Sequence, residues 1–209
     1  MKIEKIFENN QSWIKDKLSL DQDYFVNLSK GQSPAVLYIG CSDSRVTAES
    51  LMGLNPGDVF VHRNIANMVP NTDVSALGVI NYAITHLKVD HVVVCGHYYC
   101  GGVKAAMQPA DLGILNPWLA NIRDVYRLHQ AELDGIEDED ARYRRLVELN
   151  VQEQCFNVMK TIDFQNAAMD REITAHGWVF DIHSGKLIDL EIDFNKATSG
   201  FKDLYQLSS

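Results

Sequence analysis

Two short segments of this 209-residue chain hold the residue types from which a metal centre can be built. One reads Gly40-Cys41-Ser42-Asp43-Ser44-Arg45, the other Gly96-His97-Tyr98-Tyr99-Cys100-Gly101-Gly102. Cys41, His97 and Cys100 are ligand types that zinc prefers. The His97-x-x-Cys100 spacing lets two ligands converge from one turn, and Cys41 would add a third from a separate segment. Three protein ligands leave one coordination position for water or an exchangeable group. Catalytic zinc sites need that vacancy; structural sites usually fill it with a fourth Cys or His. Asp43 and Arg45 stand two residues apart and could pair. Asp43 could be a fourth ligand. Held off the metal by Arg45, it could instead accept a hydrogen bond from a bound water and orient it.

Each segment alone has a plainer reading. An isolated H-x-x-C is mostly chance or a core histidine, and an isolated C-x-D-x-R is more often a loop with a surface ion pair. Their joint occurrence, each after an apolar run, favours the metal. A dithiol redox site is disfavoured because no Cys-x-x-Cys occurs. A phosphate loop is disfavoured because CGHYYCGGVK lacks the Gly-Lys-Ser/Thr ending. Cys95 in an apolar run and Cys155 in a helical stretch read as small buried hydrophobes. His62, His86, His91, His129, His176 and His183 read as core or surface histidines.

The elements that must position these residues follow from hydrophobic patterning. Ala35 to Ile39, Val59 to Val61 and Val92 to Cys95 are short apolar runs, as expected of strands buried on both faces. Asn55-Pro56-Gly57-Asp58 is a turn ahead of the second. Leu77, Ile80, Ile84 and Leu87 fall on one helical face. Residues 115–160 read as mostly helical, with a polar break near Asp134 to Asp140. Ile173 to Asp181 and Lys186 to Asp193 read as strands joined around His183-Ser184-Gly185, a hairpin that ends the sheet on an antiparallel edge. The tail FKDLYQL reads as a last short helix. The fold class expected is α/β: a mainly parallel central sheet, flanking helices and an antiparallel edge near the C-terminus. Both chemical segments then lie at the carboxyl ends of parallel strands, where open α/β sheets bind ligands.

Ahead of the sheet, Ile3, Ile6, Phe7, Trp13, Ile14, Leu18, Tyr24, Phe25 and Leu28 recur among charges, which fits amphipathic helices. Gly31 and Pro34 stop them. The expected division is an N-terminal helical arm over residues 1–30 and a zinc-binding α/β catalytic domain over residues 31–209.

Composition bounds the partners. With 19 basic and 28 acidic side chains and a formal net charge of -9, no nucleic-acid surface is expected, because phosphate neutralisation needs clustered Lys and Arg. The 46% apolar and 22% charged composition is ordinary for a globular protein, which excludes a disordered or fibrous chain. A chain this long can bury about 70% of its unfolded surface, so it needs no disulfide merely to fold. Charges interrupt every apolar stretch near the N-terminus, so no signal-peptide core can be drawn. AVLYIG and VVVCG are too short to span a bilayer. The expected location is the reducing cytosol, where thiols stay free, catalytic or metal-bound.

C-S-D-S-R-V followed by G-H-x-x-C-G-G resembles the β-class carbonic anhydrases. The resemblance takes in GQSP before the first strand, NPGDVFVHRNIAN (55–67), NYAITHLKV (81–89) and HGWVFD (176–181). It implies that Cys41, His97 and Cys100 bind one Zn2+ per subunit and that Asp43 and Arg45 form a catalytic dyad. Asp43 would be a fourth ligand in an inactive state. Gln32, Phe60 and Tyr82 match substrate-pocket positions, part of the pocket coming from a partner subunit. Gly101 and Gly102 match a glycine pair beside the metal loop. Without the resemblance, Phe60 and Tyr82 would read as core aromatics and Gln32 as a loop residue. The implied reaction is reversible hydration of CO2 to bicarbonate and a proton. The implied assembly is a homodimer or tetramer whose N-terminal helices embrace a neighbour.

One departure stands out. Some bacterial members line a non-catalytic bicarbonate pocket with Trp, Arg and Tyr, where this chain has Tyr38, Arg63 and Phe180. Phe180 lacks the hydroxyl, so bicarbonate is not expected to bind there in the same way. Two other uses of the same residues compete with this one. A CS2 or COS hydrolase would differ in its access route, and nothing in the sequence suggests a narrowed tunnel. A non-catalytic, zinc-stabilised assembly module would have no need of the Asp43–Arg45 pair.

Overall fold

The computed structural model describes residues 2–199 and 205. The chain divides into two units, the first ending at Ser33 and the second beginning at Pro34. The first holds α1 (Glu4–Leu20) and α2 (Tyr24–Leu28), and neither helix buries a residue. Its own contacts are aromatic. Trp13 meets Tyr24 and Phe25 edge-on, with ring centroids 6.4 and 5.2 Å apart, and the Lys17 ammonium sits over the Tyr24 ring. Ile3, Phe7 and Leu20 remain exposed.

The second unit runs β1 (Val36–Cys41), α3 (Ala48–Met52), β2 (Val59–Asn64), α4 (Val74–Asn81), β3 (His91–His97), α5 (Gly101–Ala106), α6 (Asn116–Leu128), α7 (Gln130–Asp134), α8 (Glu139–Met159), α9 (Ile162–Asp170), β4 (Thr174–Asp181), β5 (Lys186–Asp189) and α10 (Phe194–Thr198). A wider helical turn over Tyr82–His86 continues α4. The strands form one sheet in the order β2-β1-β3-β4-β5. The first four are parallel, and β5 pairs antiparallel with β4 through the expected hairpin. The expected α/β architecture is thus the observed one.

The chain leaves β1 to one side for β2, then returns to β1's other side for β3. Connections diverge at that point, so the loops after β1 and β3 enclose a crevice at the carboxyl ends of the strands. β1 and β3 are buried along nearly their whole length, which is why both read as unbroken apolar runs. On one sheet face, Leu37, Ile39, Val92 and Val94 pack with Ile80, Ile122, Leu146 and Val151 in the main core. The opposite face carries Tyr38, Val93 and Cys95 in a smaller cluster with Ala48.

Two boundaries differ from expectation. β2 continues through the polar His62, Arg63 and Asn64 because each still pairs in register with Ile39, Gly40 and Cys41 of β1. β5 stops at Asp189 rather than Asp193, and Glu191 takes a left-handed φ of 48° that turns the chain away. The FKDLYQL stretch, apart from Tyr205, lies outside the described residues.

Candidate metal centre

Cys41 is the last residue of β1, His97 the last of β3, and Cys100 immediately precedes α5. Backbone register therefore brings together ligands that are far apart in sequence. The Cys41 and Cys100 sulfurs lie 3.9 Å apart, and all three ligand atoms lie within 4.8 Å of one another. Among the described residues this is the one cluster of three or more potential metal-ligating side chains.

The donor set fits zinc. With Zn–S bonds of about 2.3 Å, two thiolates on a tetrahedral ion sit about 3.8 Å apart, close to the separation seen. His97 is wholly buried, and its Nδ1 donates to the Tyr98 carbonyl at 2.9 Å. Nε2 is then the unprotonated nitrogen, and it is buried with no hydrogen-bond partner. An orphaned buried acceptor is costly, and a metal ion satisfies it.

The sulfurs are also prepared. The neighbouring Cys100 thiol chiefly holds the Cys41 pKa well below the ordinary thiol value, and the contact with Cys41 together with burial pushes Cys100 up. The other two cysteines behave as inert core thiols: burial raises Cys95 to about 12 and raises Cys155 as well. All four cysteines are free.

Asp43 stands beside this cluster, with Oδ2 3.8 Å from His97 Nε2. Both its oxygens are already engaged. Arg45 Nε donates to Oδ1 at 2.9 Å, Nη2 donates to Oδ2 at 2.7 Å, and the Arg45 amide donates to Oδ1 at 3.0 Å. The Arg45 guanidinium holds the Asp43 carboxyl well below the usual carboxylate range. A carboxylate so held is an acceptor only. The loop carrying it is braced by Arg63, whose Nε donates to the Cys41 carbonyl at 2.8 Å and Nη2 to the Asp43 carbonyl at 2.6 Å.

Phe60 and Tyr82 face each other with ring centroids 5.7 Å apart. Phe60 pairs with Leu37, four residues before Cys41 on β1, about 13 Å away at about 3.3 Å per residue. Tyr82 is 47% exposed. Gln32 belongs to the first unit and is exposed. Gly101 and Gly102 open α5. A Cβ at Gly102 would lie 2.7 Å from Ile65 Cγ2, so close packing demands glycine there. Tyr38 is fully buried with its hydroxyl unpartnered, and a side chain at Gly40 would strike its ring. Phe180 is half-buried on the same sheet face.

Several supporting residues carried no motif. Tyr143, Asn150 and Gln154 on α8 bond the metal loops or the turn beneath them. The available signal was Asn150 and Gln154 at i, i+4 amid apolar helix positions, where a buried face should be nonpolar.

Comparisons with known proteins agree with this geometry. The carbonic anhydrase family model matches residues 36–187. A carbonic anhydrase of Emericella nidulans is 57% identical over 206 residues, covering 98% of this chain and 90% of that protein. The chain belongs to the β-class carbonic anhydrase family. Its fold superposes on the β-carbonic anhydrase CafA of Aspergillus fumigatus with a TM-score of 0.91 at 38% identity, covering 98% of this chain and 99% of that one. A tetrameric β-carbonic anhydrase of Sordaria macrospora gives a TM-score of 0.87 at 40% identity, covering 90% and 96%. Carbonic anhydrase activity and its dependence on zinc follow from family membership together with the Cys41–His97–Cys100 cluster. Neither the CS2/COS hydrolase nor the non-catalytic module gains support. No helix among the described residues is long and apolar enough to cross a membrane.

Proposed function

We propose that Cys41, His97 and Cys100 hold zinc, that Asp43 and Arg45 are the catalytic dyad, and that the site carries out CO2 + H2O ⇌ HCO3⁻ + H⁺. The observation that carries this reading is a buried three-ligand cluster beside a carboxylate locked in its ionised form by a bidentate arginine. Zinc held by these three side chains would supply an activated water near neutral pH, its pKa lowered from about 15.7 to about 7. Asp43 would accept a hydrogen bond from the attacking water and orient it toward the CO2 carbon. Arg45 keeps Asp43 charged and fixes its orientation, which preserves the carboxylate as an acceptor. His97 is held in one tautomer by the Tyr98 carbonyl, so its ligand nitrogen needs no reorganisation.

The substrate wall is a shared feature in this reading. Phe60 and Tyr82 offer an apolar surface for neutral CO2, and Gln32 an amide for one of its oxygens. The register of Phe60 with Leu37, four residues before Cys41, supports supply of this wall by a second copy, in a homodimer or a tetramer of dimers. Residues 1–30 act as the arm that packs on that neighbour, since α1 and α2 bury nothing yet present Ile3, Phe7 and Leu20. Residues 31–209 form the catalytic domain. A cytosolic setting suits an enzyme whose two ligand thiols must stay reduced.

The test pairs metal analysis with stopped-flow CO2 hydration, beside parallel CS2 and COS assays. The expected result is about one zinc per subunit, with CO2 hydration that rises from neutral to alkaline pH. Zinc without CO2 turnover at any pH would overturn the enzymatic reading. Turnover of CS2 or COS alone would overturn the substrate.

A further inference from the structure

α8 faces the main core, yet that face buries two amides: Asn150 is 0% and Gln154 1% exposed. Burying an amide costs stability unless each polar atom is paired. Here the pairing forms a directed relay. The Val69 amide donates to Gln154 Oε1 at 2.8 Å. A backbone N–H can only donate, so the Gln154 oxygen is fixed on that side. Gln154 Nε2 therefore donates to Asn150 Oδ1 at 3.2 Å, and Asn150 Nδ2 donates to the Ala66 carbonyl at 3.0 Å.

The receiving residue is unusual. Ala66 has φ 64° and ψ 35°, and Asn67 follows with φ 49°. Consecutive left-handed residues bearing a Cβ are unfavourable and persist only where surroundings impose them. This turn is wedged from the other side by the metal loop, where Gly102 abuts Ile65 and Ala66. The Ala66 carbonyl is turned toward α8, where Asn150 holds it.

We propose that Asn150 is a positioning residue for the metal centre: by pinning the Ala66 carbonyl it holds the left-handed turn against Gly102, two residues after Cys100, and slows release of zinc. The inference rests on the reading of Cys41, His97 and Cys100 as the zinc ligands. Gln154 acts one step further back, by orienting the Asn150 amide.

Asn150→Asp keeps the shape and the acceptor for Gln154 but removes the donor to Ala66. Zinc release into excess chelator is measured on the folded holoenzyme, together with the thiolate-to-metal absorption band of the cobalt-substituted protein. Asn150→Asp is expected to release zinc about 10–100-fold faster than wild type, the usual penalty for losing a residue that orients a metal ligand. The cobalt band should shift. Val158→Ala, a cavity in the same helix away from the turn, controls for general destabilisation and should leave both readouts unchanged. An unchanged release rate in Asn150→Asp, or equal acceleration in Val158→Ala, overturns the proposal. If Asn150→Asp does not fold, Gln154→Leu carries the test: release a few-fold faster supports the relay, and a wild-type rate overturns it. A wild-type protein that takes up no zinc overturns the zinc reading itself; zinc held equally by wild type and variants overturns only the role of Asn150.

Discussion

The carboxyl ends of β1 and β3 and the face holding Phe60 and Tyr82 are built by opposite rules. At the strand ends the polar groups of the cluster are tied down: His97 by Tyr98, Asp43 by Arg45, and the Cys41 loop by Arg63. At the aromatic pair Phe60 is half-buried and Tyr82 is 47% exposed. Charge stabilisation requires fixed dipoles at sub-ångström tolerance, which one rigid sheet supplies. A wall for a small neutral molecule requires only apolar surface, which a second copy can bring. On the function proposed above, the contrast has one chain complete the charged half of the site and leave the apolar half to assembly.

The largest effect should come from the tied-down end. Cys41→Ala, His97→Ala or Cys100→Ala should abolish zinc binding and reduce CO2 hydration to background, as read by metal analysis and stopped flow. Retained zinc with full turnover in any of them would break the contrast at its root. Asp43→Asn should keep most of the zinc yet lose about 10²–10⁴-fold in kcat, the usual contribution of a positioned proton acceptor. Full activity in that variant would remove Asp43 from the chemistry.

The aromatic end should respond more gently. Phe60→Ala and Tyr82→Ala should raise KM about 10-fold with zinc content unchanged. Mixed assemblies sharpen the point. Asp43→Asn subunits combined with Tyr82→Ala subunits should have a higher kcat/KM than either parent, because a mixed pair contains one intact site. No gain would place wall and metal in the same chain.

A smaller effect concerns stability. Asp43 titrates below its unfolded-state value of about 3.9, chiefly through its hydrogen bonds to Arg45. Its stabilising contribution is thus fully present above about pH 5 and is lost as pH falls through the folded-state value. Arg45 is solvent-exposed, so screening keeps the gain small. Arg45→Ala should lower Tm by a few degrees near neutral pH, with the gap closing toward pH 2. A constant gap would mean that Arg45 acts through packing instead. The smallest expectation is a null result: with Arg63 spent on the Cys41 and Asp43 carbonyls and Phe180 lacking a hydroxyl, bicarbonate should inhibit only as a product. Sigmoidal inhibition would contradict that.

Much of the fold was legible because a parallel sheet demands strands buried on both faces, and Val36–Cys41 and His91–His97 show it as unbroken apolar runs. The ligands were legible because zinc accepts few side-chain types and each stood at a strand end. The extension of β2 was hidden, since His62, Arg63 and Asn64 are polar and pair only because β1 lies alongside. The α8 relay was equally hidden. An Asn and a Gln on a helix say nothing of which carbonyl they will meet, and the left-handed turn at Ala66 has no glycine to announce it.

The sequence by itself determined the chemistry available: two thiolates, an imidazole, a carboxylate and a guanidinium, each tied by its local pattern to an element. Tertiary structure decided which of these meet. Strand order set Cys41 against Cys100 across the switch between β1 and β3, and that order depends on long-range pairing that no local pattern encodes. It also decided that Asp43 is engaged by Arg45 beside the cluster, because that choice turns on the relative positions of two side chains and a buried histidine. The same long-range packing set Phe60 against Tyr82 and level with Leu37, four residues before Cys41 on β1.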